Sequence, residues 1–215
     1  MKSIRWIIST TLVCSMLLGC LGVQNAYSQG SGSAVNVSAD DRDGDGIPDA
    51  AEKLLGTNPY AADTDGDGMN DLEDPDPLVA SNPIIEASSV ALPIQIKDIR
   101  VEDNQTDDHL EITLRNTGTQ TLKNFEIYYT ITDKKDRAQE AYYVRLDRLE
   151  IPGGGTATIH FDNNAATLNH YFGNMNGLYG TSSNGLLFNV TLHASSYAPM
   201  NFSVEKSEGT AEVAD

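Results

Sequence analysis

The larger, C-terminal part of this 215-residue sequence predicts an all-β fold, an antiparallel β-sandwich. Three observations predict it. Short segments from residue 94 onward alternate apolar and polar residues and are rich in Ile, Val, Thr, Tyr and Phe. Turn chemistry separates these segments, and no helical period joins them.

The segments are IQIKDIRV (94–101), HLEITLR (109–115), NFEIYYTIT (124–132), AYYVRLDRL (141–149), TATIHF (156–161) and LLFNVTLHA (186–194), with MNFSVEK (200–206) a weaker seventh. Asn116-Thr117-Gly118, Asp133-Lys134-Lys135-Asp136 and Pro152-Gly153-Gly154-Gly155 supply turns between them. Strand side chains alternate, so Ile112 and Leu114 share one face, as do Phe125, Ile127 and Tyr129. The sandwich domain is therefore placed at 94–206, with a linker at 77–93 and a tail at 207–215.

The N-terminal part has another texture. Lys2 and Arg5 precede a short apolar run, Trp6 to Leu18, too short to span a bilayer and suited to an export signal over 1–19. Two processing readings fit. Leu17-Leu18-Gly19-Cys20 looks like a lipobox, in which Cys20 is lipidated and the protein is anchored to the membrane at the cell envelope or surface. Ala26-Tyr27-Ser28 fits ordinary signal cleavage before Gln29, giving a secreted or periplasmic protein. The lipobox is favoured because it follows the apolar run directly. Both cysteines of the chain, Cys14 and Cys20, lie in this region, so no internal disulfide is expected. Residues 20–39, small, polar and glycine-bearing, read as a flexible tether.

Cleavage ahead of Cys20 removes Lys2 and Arg5 and no acid, taking the formal charge from −17 to −19. Such a balance argues against nucleic acid and anionic headgroups as partners and for cations. Residues 40–76 concentrate it, with 13 acidic side chains against Arg42 and Lys53.

Within that stretch, acids stand at positions 1, 3, 5, 9 and 12 of DRDGDGIPDAAE (41–52), with glycine at position 6. This is the spacing of an EF-hand calcium loop. Asp41, Asp43 and Asp45 converge when the backbone curls, and Gly46 permits the turn. The Ile47 carbonyl faces the ion, Asp49 acts directly or through water, and Glu52 reaches back with both oxygens. Oxygen ligands in that number suit calcium rather than magnesium, and the lack of Cys and His in the loop disfavours zinc. The plan recurs 22 residues later with Asp63, Asp65, Asp67, Gly68, the Met69 carbonyl, Asp71 and Asp74. Two ions are expected, the second held more weakly because Asp74 is shorter than Glu52. The ten residues between the loops can bury little, so ion binding and folding of this segment are expected to be one event.

The stretch DRDGDGIPDAAEKLLGTNPYAADTDGDGMNDLED resembles the thrombospondin type 3 repeats of bacterial surface and secreted proteins, down to the Gly56-Thr57-Asn58-Pro59 between loops. The resemblance spans residues 40–76 and implies an extended, calcium-wrapped segment with little apolar core. Its ligand pattern falls on Asp41, Asp43, Asp45, Asp49 and Glu52, and on Asp63, Asp65, Asp67, Asp71 and Asp74. A dockerin is the neighbouring alternative, but it needs a helix after each loop. Pro48 can open one through Leu55, whereas Pro75 and Pro77 forbid one after the second loop.

The sandwich, over residues 84–205, loosely resembles immunoglobulin-like modules of bacterial surface proteins, a likeness of fold rather than activity. Its long segment 162–185 places His170, Tyr171, Phe172 and Tyr179 where they could stack on a sugar or anchor a protein partner, or else cap the open end of the core. There is no G-x-S-x-G, H-E-x-x-H or phosphate-cradling glycine loop, so no enzyme is expected. The expectation is a calcium-stiffened spacer that sets off a sandwich and leaves it unchanged when the ion is removed. A carbohydrate-binding or dockerin-like assembly module and a secreted hydrolase are the other readings.

Overall fold

Alternation does organise the chain. The computed structural model describes residues 40–101, 109–162, 166–174 and 176–208, all within one unit spanning Val37–Asp215. The signal segment, Cys20, the tether and most of the tail lie outside the described residues. Eight strands are present: β1 (Ile94–Val101), β2 (Leu110–Asn116), β3 (Phe125–Asp133), β4 (Gln139–Leu146), β5 (Thr156–Phe161), β6 (His170–Tyr171), β7 (Leu186–Ala194) and β8 (Met200–Lys206). They form two four-stranded sheets, ordered β1-β2-β5-β6 and β4-β3-β7-β8. Among the described residues no helix is long and apolar enough to cross a membrane.

The two inner faces make one core. Ile112 and Leu114 on one sheet meet Ile127, Tyr129, Phe188 and Leu192 on the other, all nearly inaccessible to water. Tyr129 stacks on Tyr142 at 5.2 Å between ring centroids and meets the Phe161 ring edge-on at 5.4 Å. All pairings between the eight strands are antiparallel except β5 with β6, a two-residue parallel contact that makes the first sheet mixed. It depends on Gly173, where a Cβ would collide with the Phe161 carbonyl.

The described residues of 162–185 fold back on the sandwich instead of standing away as a loop. It contains β6 and a one-turn helix, α2 (Leu178–Thr181). Tyr171, Phe172 and Tyr179 are core residues, each 5–6% exposed, and Tyr179 meets Phe188 edge-on at 5.9 Å. Of the expected binding loop, Tyr171, Phe172 and Tyr179 thus close the end of the core. Burying three rings here outweighs leaving them in water, since each removes a large apolar area.

Residues 78–93, nearly all of the expected 77–93 linker, are a strap across the outer face of the second sheet. The Tyr128 hydroxyl donates to the Ala80 carbonyl at 2.8 Å, and the Asn82 amide to Thr191 Oγ1 at 2.9 Å. His193 sits between Glu126 (2.7 Å) and Glu86 (3.3 Å). The strap ends with Leu92 buried and the Pro93 carbonyl accepting from the Thr117 N–H at 2.8 Å.

The acidic segment is also held against the sandwich, contrary to the expected spacer. The N–H groups of Tyr143 and Ala141, on the outer side of edge strand β4, donate to the carbonyls of Thr64 (2.9 Å) and Leu78 (2.7 Å). Asn176 donates to the Lys53 carbonyl, and Gly56 lies so close to Asn174 that a Cβ would overlap its amide. An edge strand presents unpaired backbone groups, and this segment covers them.

Candidate metal centre

The two acidic loops share one backbone plan. Gly44 and Gly46 in the first, like Gly66 and Gly68 in the second, adopt left-handed φ angles of 78° and 101°, and 83° and 96°. These positions are cheap only for residues without a Cβ. The aspartate at position 1 accepts from the N–H groups at positions 4 and 6: Asp41 from Gly44 (2.9 Å) and Gly46 (3.2 Å), Asp63 from Gly66 (2.8 Å) and Gly68 (2.9 Å). Positions 3 and 5 accept from the N–H two residues on, as Asp43 does from Asp45 and Asp65 from Asp67, both at 3.2 Å. These bonds draw three carboxylates inward in each loop, Asp41, Asp43 and Asp45 in one and Asp63, Asp65 and Asp67 in the other. Within each trio, one oxygen per residue lies within 4.8 Å of the others.

Position 9, expected to act directly or through water, is engaged by the loop's own groups. Asp49 accepts from the Arg42 N–H at 3.0 Å and pairs with the Arg42 guanidinium at 3.1 Å. Asp71 accepts from the Thr64 N–H at 2.8 Å and the Thr64 hydroxyl at 2.7 Å. Both carboxylates brace the loop backbone from behind. Asp71 does more, because it also comes within 4.8 Å of Asp45 and Glu52 in a buried trio. The second loop thereby touches the first.

Helix α1 (Asp49–Leu55), opened by Pro48 and closed by left-handed Gly56, delivers Glu52 to this point. Glu52 is fully buried, and the Thr57 hydroxyl lies 3.5 Å from its Oε1. Thr57 and Asn58 are buried too, so the inter-loop segment hides polar groups while Leu54 and Leu55 stay exposed. Ile47 is buried and Met69 exposed. No second helix follows Asp71; Glu73 and Asp74 close a turn on the Asn70 carbonyl.

Electrostatics and hydrogen bonding fit a cation. Four buried carboxylate oxygens, Asp43 Oδ2, Asp45 Oδ2, Glu52 Oε2 and Asp65 Oδ2, have no donor within reach among the described residues. Burial, then repulsion from Asp43, Asp45, Asp49 and Asp71, pushes the Glu52 carboxyl up to about 8, and burial lifts Asp71 to about 6. Burial is also the leading cause that raises Asp43 and Asp65. An unpaired buried carboxylate costs on the order of several kcal/mol. Hard oxygen donors, gathered and unsatisfied, suit calcium.

The fold and these loops define a β-sandwich that carries an acidic, EF-hand-like calcium-binding module. Residues 41–61 match the bacterial TSP3 repeat. The second loop lies beyond the matched residues but repeats the hydrogen bonds of positions 1, 3 and 5 of the first. No curated protein matches the chain. Solved structures with similarity include Northeast Structural Genomics Consortium target SoR45, at 13% identity and TM-score 0.34, covering 55% of this chain and 89% of that one. Wild-type OgpA from Akkermansia muciniphila is 11% identical with a TM-score of 0.34, covering 58% of this chain and 30% of that one. A beta-glucuronidase of Bacteroides uniformis is 13% identical with a TM-score of 0.30, covering 54% and 12%. The chain thus spans less than a third of the length of these two enzymes. At such TM-scores the likeness says nothing of activity.

Beside the module lies a cleft of about 680 Å³, lined by Tyr60 and Asp63 from the module and by Tyr143, Arg148, His170 and Phe172 from the sandwich. Tyr60 is half exposed and pinned by Arg42, whose Nη1 donates to its hydroxyl at 3.1 Å. His170 pairs with Asp162 at 2.7 Å. Tyr60 was not singled out in the sequence, where it is one aromatic in an otherwise plain inter-loop run.

Proposed function

We propose that the chain is an exported, calcium-dependent envelope or surface protein, lipid-anchored through Cys20. Two calcium ions fix the acidic module on the edge of a sandwich that serves for binding or structure. The first ion takes Asp41, Asp43, Asp45, the Ile47 carbonyl and Glu52. The second takes Asp63, Asp65, Asp67, the Met69 carbonyl and Asp74. Asp49 and Asp71 hold the loops in shape, and Asp71 couples them. Calcium supplies charge neutralisation; the chain's own residues supply the curl, the braces and the docking bonds. The reading rests above all on the four buried carboxylate oxygens without donors. It makes the chain a binding or structural protein rather than an enzyme.

Calorimetric titration tests it. Two calcium ions per chain are expected, in the range of about 10⁻⁴–10⁻³ M typical of extracellular modules. Asp43→Asn and Asp65→Asn should each remove one ion. Heats of dilution only, from folded protein, would sink the proposal. Labelling with a fatty-acid analogue separates the two processing routes, since Cys20→Ala abolishes incorporation only on the lipid-anchor route.

The cleft favours a second, compatible reading, a calcium-dependent carbohydrate-binding module. One wall is an exposed aromatic ring, and that wall belongs to the segment the ions would hold. Retention on polysaccharide columns should then fall with Tyr60→Ala and with chelator. Retention indifferent to both would leave the structural role alone.

A further inference from the structure

A second group of ligand-type side chains stands on the outer face of the first sheet, apart from the acidic loops. Strand register assembles it. Glu111 on β2 lies opposite His160 on β5, while Arg100 on β1 and His170 on β6 extend the row. His109 precedes Glu111 by two positions, which turns both to the same face.

Three atoms converge there. His109 Nε2 is 3.0 Å from His160 Nδ1, and Glu111 Oε2 is 3.3 Å from His160 Nδ1 and 3.9 Å from His109 Nε2. His109 and Glu111 are buried, and His160 is partly exposed. We infer that His109, Glu111 and His160 bind one zinc ion. Tetrahedral bonds of about 2.0–2.1 Å place ligand atoms about 3.3 Å apart, and the three observed separations bracket that value. Two imidazoles and a carboxylate form a borderline donor set that suits zinc and its neighbours and not calcium. The acidic loops, with oxygen donors alone, make the opposite choice.

The surroundings orient the three ligands. Arg100 Nη2 binds the other Glu111 oxygen, Oε1, at 2.8 Å, which leaves Oε2 turned to the two rings. The His160 ring lies nearly parallel on His170, 4.4 Å between centroids and 7° between planes. His170 is fixed in turn by Asp162 at 2.7 Å. Partners of this kind set ring planes and carboxylate direction around metals. A single proton on His160 Nδ1, shared between His109 Nε2 and Glu111 Oε2, is the alternative that titration with zinc tests. An ion uses all three and staples β2 to β5.

The full chain, free of any histidine tag and saturated with calcium to occupy the acidic loops, is titrated with zinc. One equivalent should bind, and cobalt in its place should give the visible bands of a four-coordinate centre. His160→Ala and Glu111→Gln should each weaken zinc binding at least about tenfold, while Asp43→Asn leaves it unchanged. In folded wild-type protein the ring nitrogen resonances of His109 and His160 should shift at one equivalent and those of His193 should not. Zinc affinity indifferent to His160→Ala overturns the assignment. So do His109 and His160 resonances that stay still in the wild type, a result that needs no variant to fold.

Discussion

Glu52 concentrates the chemistry of the acidic loops in one side chain. It is fully buried, one oxygen lies near Thr57, the other has no donor within reach, and the carboxylate converges with those of Asp45 and Asp71. Without an ion its carboxyl sits at about 8, so it holds a proton at pH values where the unfolded chain's carboxyl, near 4.5, is ionised. The folded state then binds more protons than the unfolded state between those values. Stability of the calcium-free protein is full below about pH 4.5 and falls as pH rises towards 8. Asp71, at about 6, adds to the fall in the lower part of that window. Thermal unfolding in chelator should therefore give a higher midpoint at about pH 5 than at about pH 8. Calcium uptake near neutral pH should release protons, measurable by calorimetry in two buffers of different ionisation heat. Glu52→Gln separates the contributions: it removes repulsion, so the calcium-free form should gain stability while the first site loses its ion. A variant that loses stability in chelator would show that Glu52 acts through packing.

Between elements, the decisive contacts are those joining the module to strand β4. Gly66 and Gly68 make a controlled pair. Both are left-handed, but a Cβ on Gly66 would come within 2.8 Å of Tyr143 and Pro83, whereas a Cβ on Gly68 meets nothing within 4 Å. Gly68→Ala should cost about 1 kcal/mol from backbone conformation alone. Gly66→Ala should cost about 1–3 kcal/mol and also loosen the docking. Hydrogen exchange at the Ala141 and Tyr143 amides reads that loosening directly. Both amides should exchange faster in chelator, while the Ile127 amide in the sheet centre stays protected. Equal protection with and without calcium would uncouple the module from the edge.

The strands themselves were legible in the sequence because a buried face demands alternation, and Ile112, Ile127 and Phe188 obey it. The loop acids and Gly46 and Gly68 were legible for the same kind of reason, since a closed oxygen cage demands fixed spacing. The parallel β6 contact was not, because a two-residue strand leaves no period. Nor was the docking, which runs through the carbonyls of Thr64 and Leu78, groups every residue carries. Spacing marks Asp49 for a place at the ion, directly or through water, but reveals position and not direction; the N–H and guanidinium of Arg42 hold its carboxylate. The histidine cluster left only a faint trace, His109 and Glu111 on one strand face, and needed β5 to bring His160 across.

For the whole molecule, the proposed calcium ions and the sandwich are expected to form one thermodynamic system. An ion that binds only the folded state at about 100 times its dissociation constant adds about 2.7 kcal/mol. For a unit of this size that raises the midpoint by roughly 5–10 °C. Because strap and module lie on the sheet, calorimetry should show one transition that moves as a whole. A calcium-sensitive minor transition beside an unmoved major one would restore the independent spacer.

The covered edge of β4 carries a consequence for self-association. Two carbonyls stand where a neighbouring molecule's strand would otherwise add, so the acidic segment acts as a removable lid on sheet growth. If the proposed ions hold the segment there, depleting them should bare a template, and intermolecular fibres are expected to begin in a concentrated, calcium-starved solution of this protein.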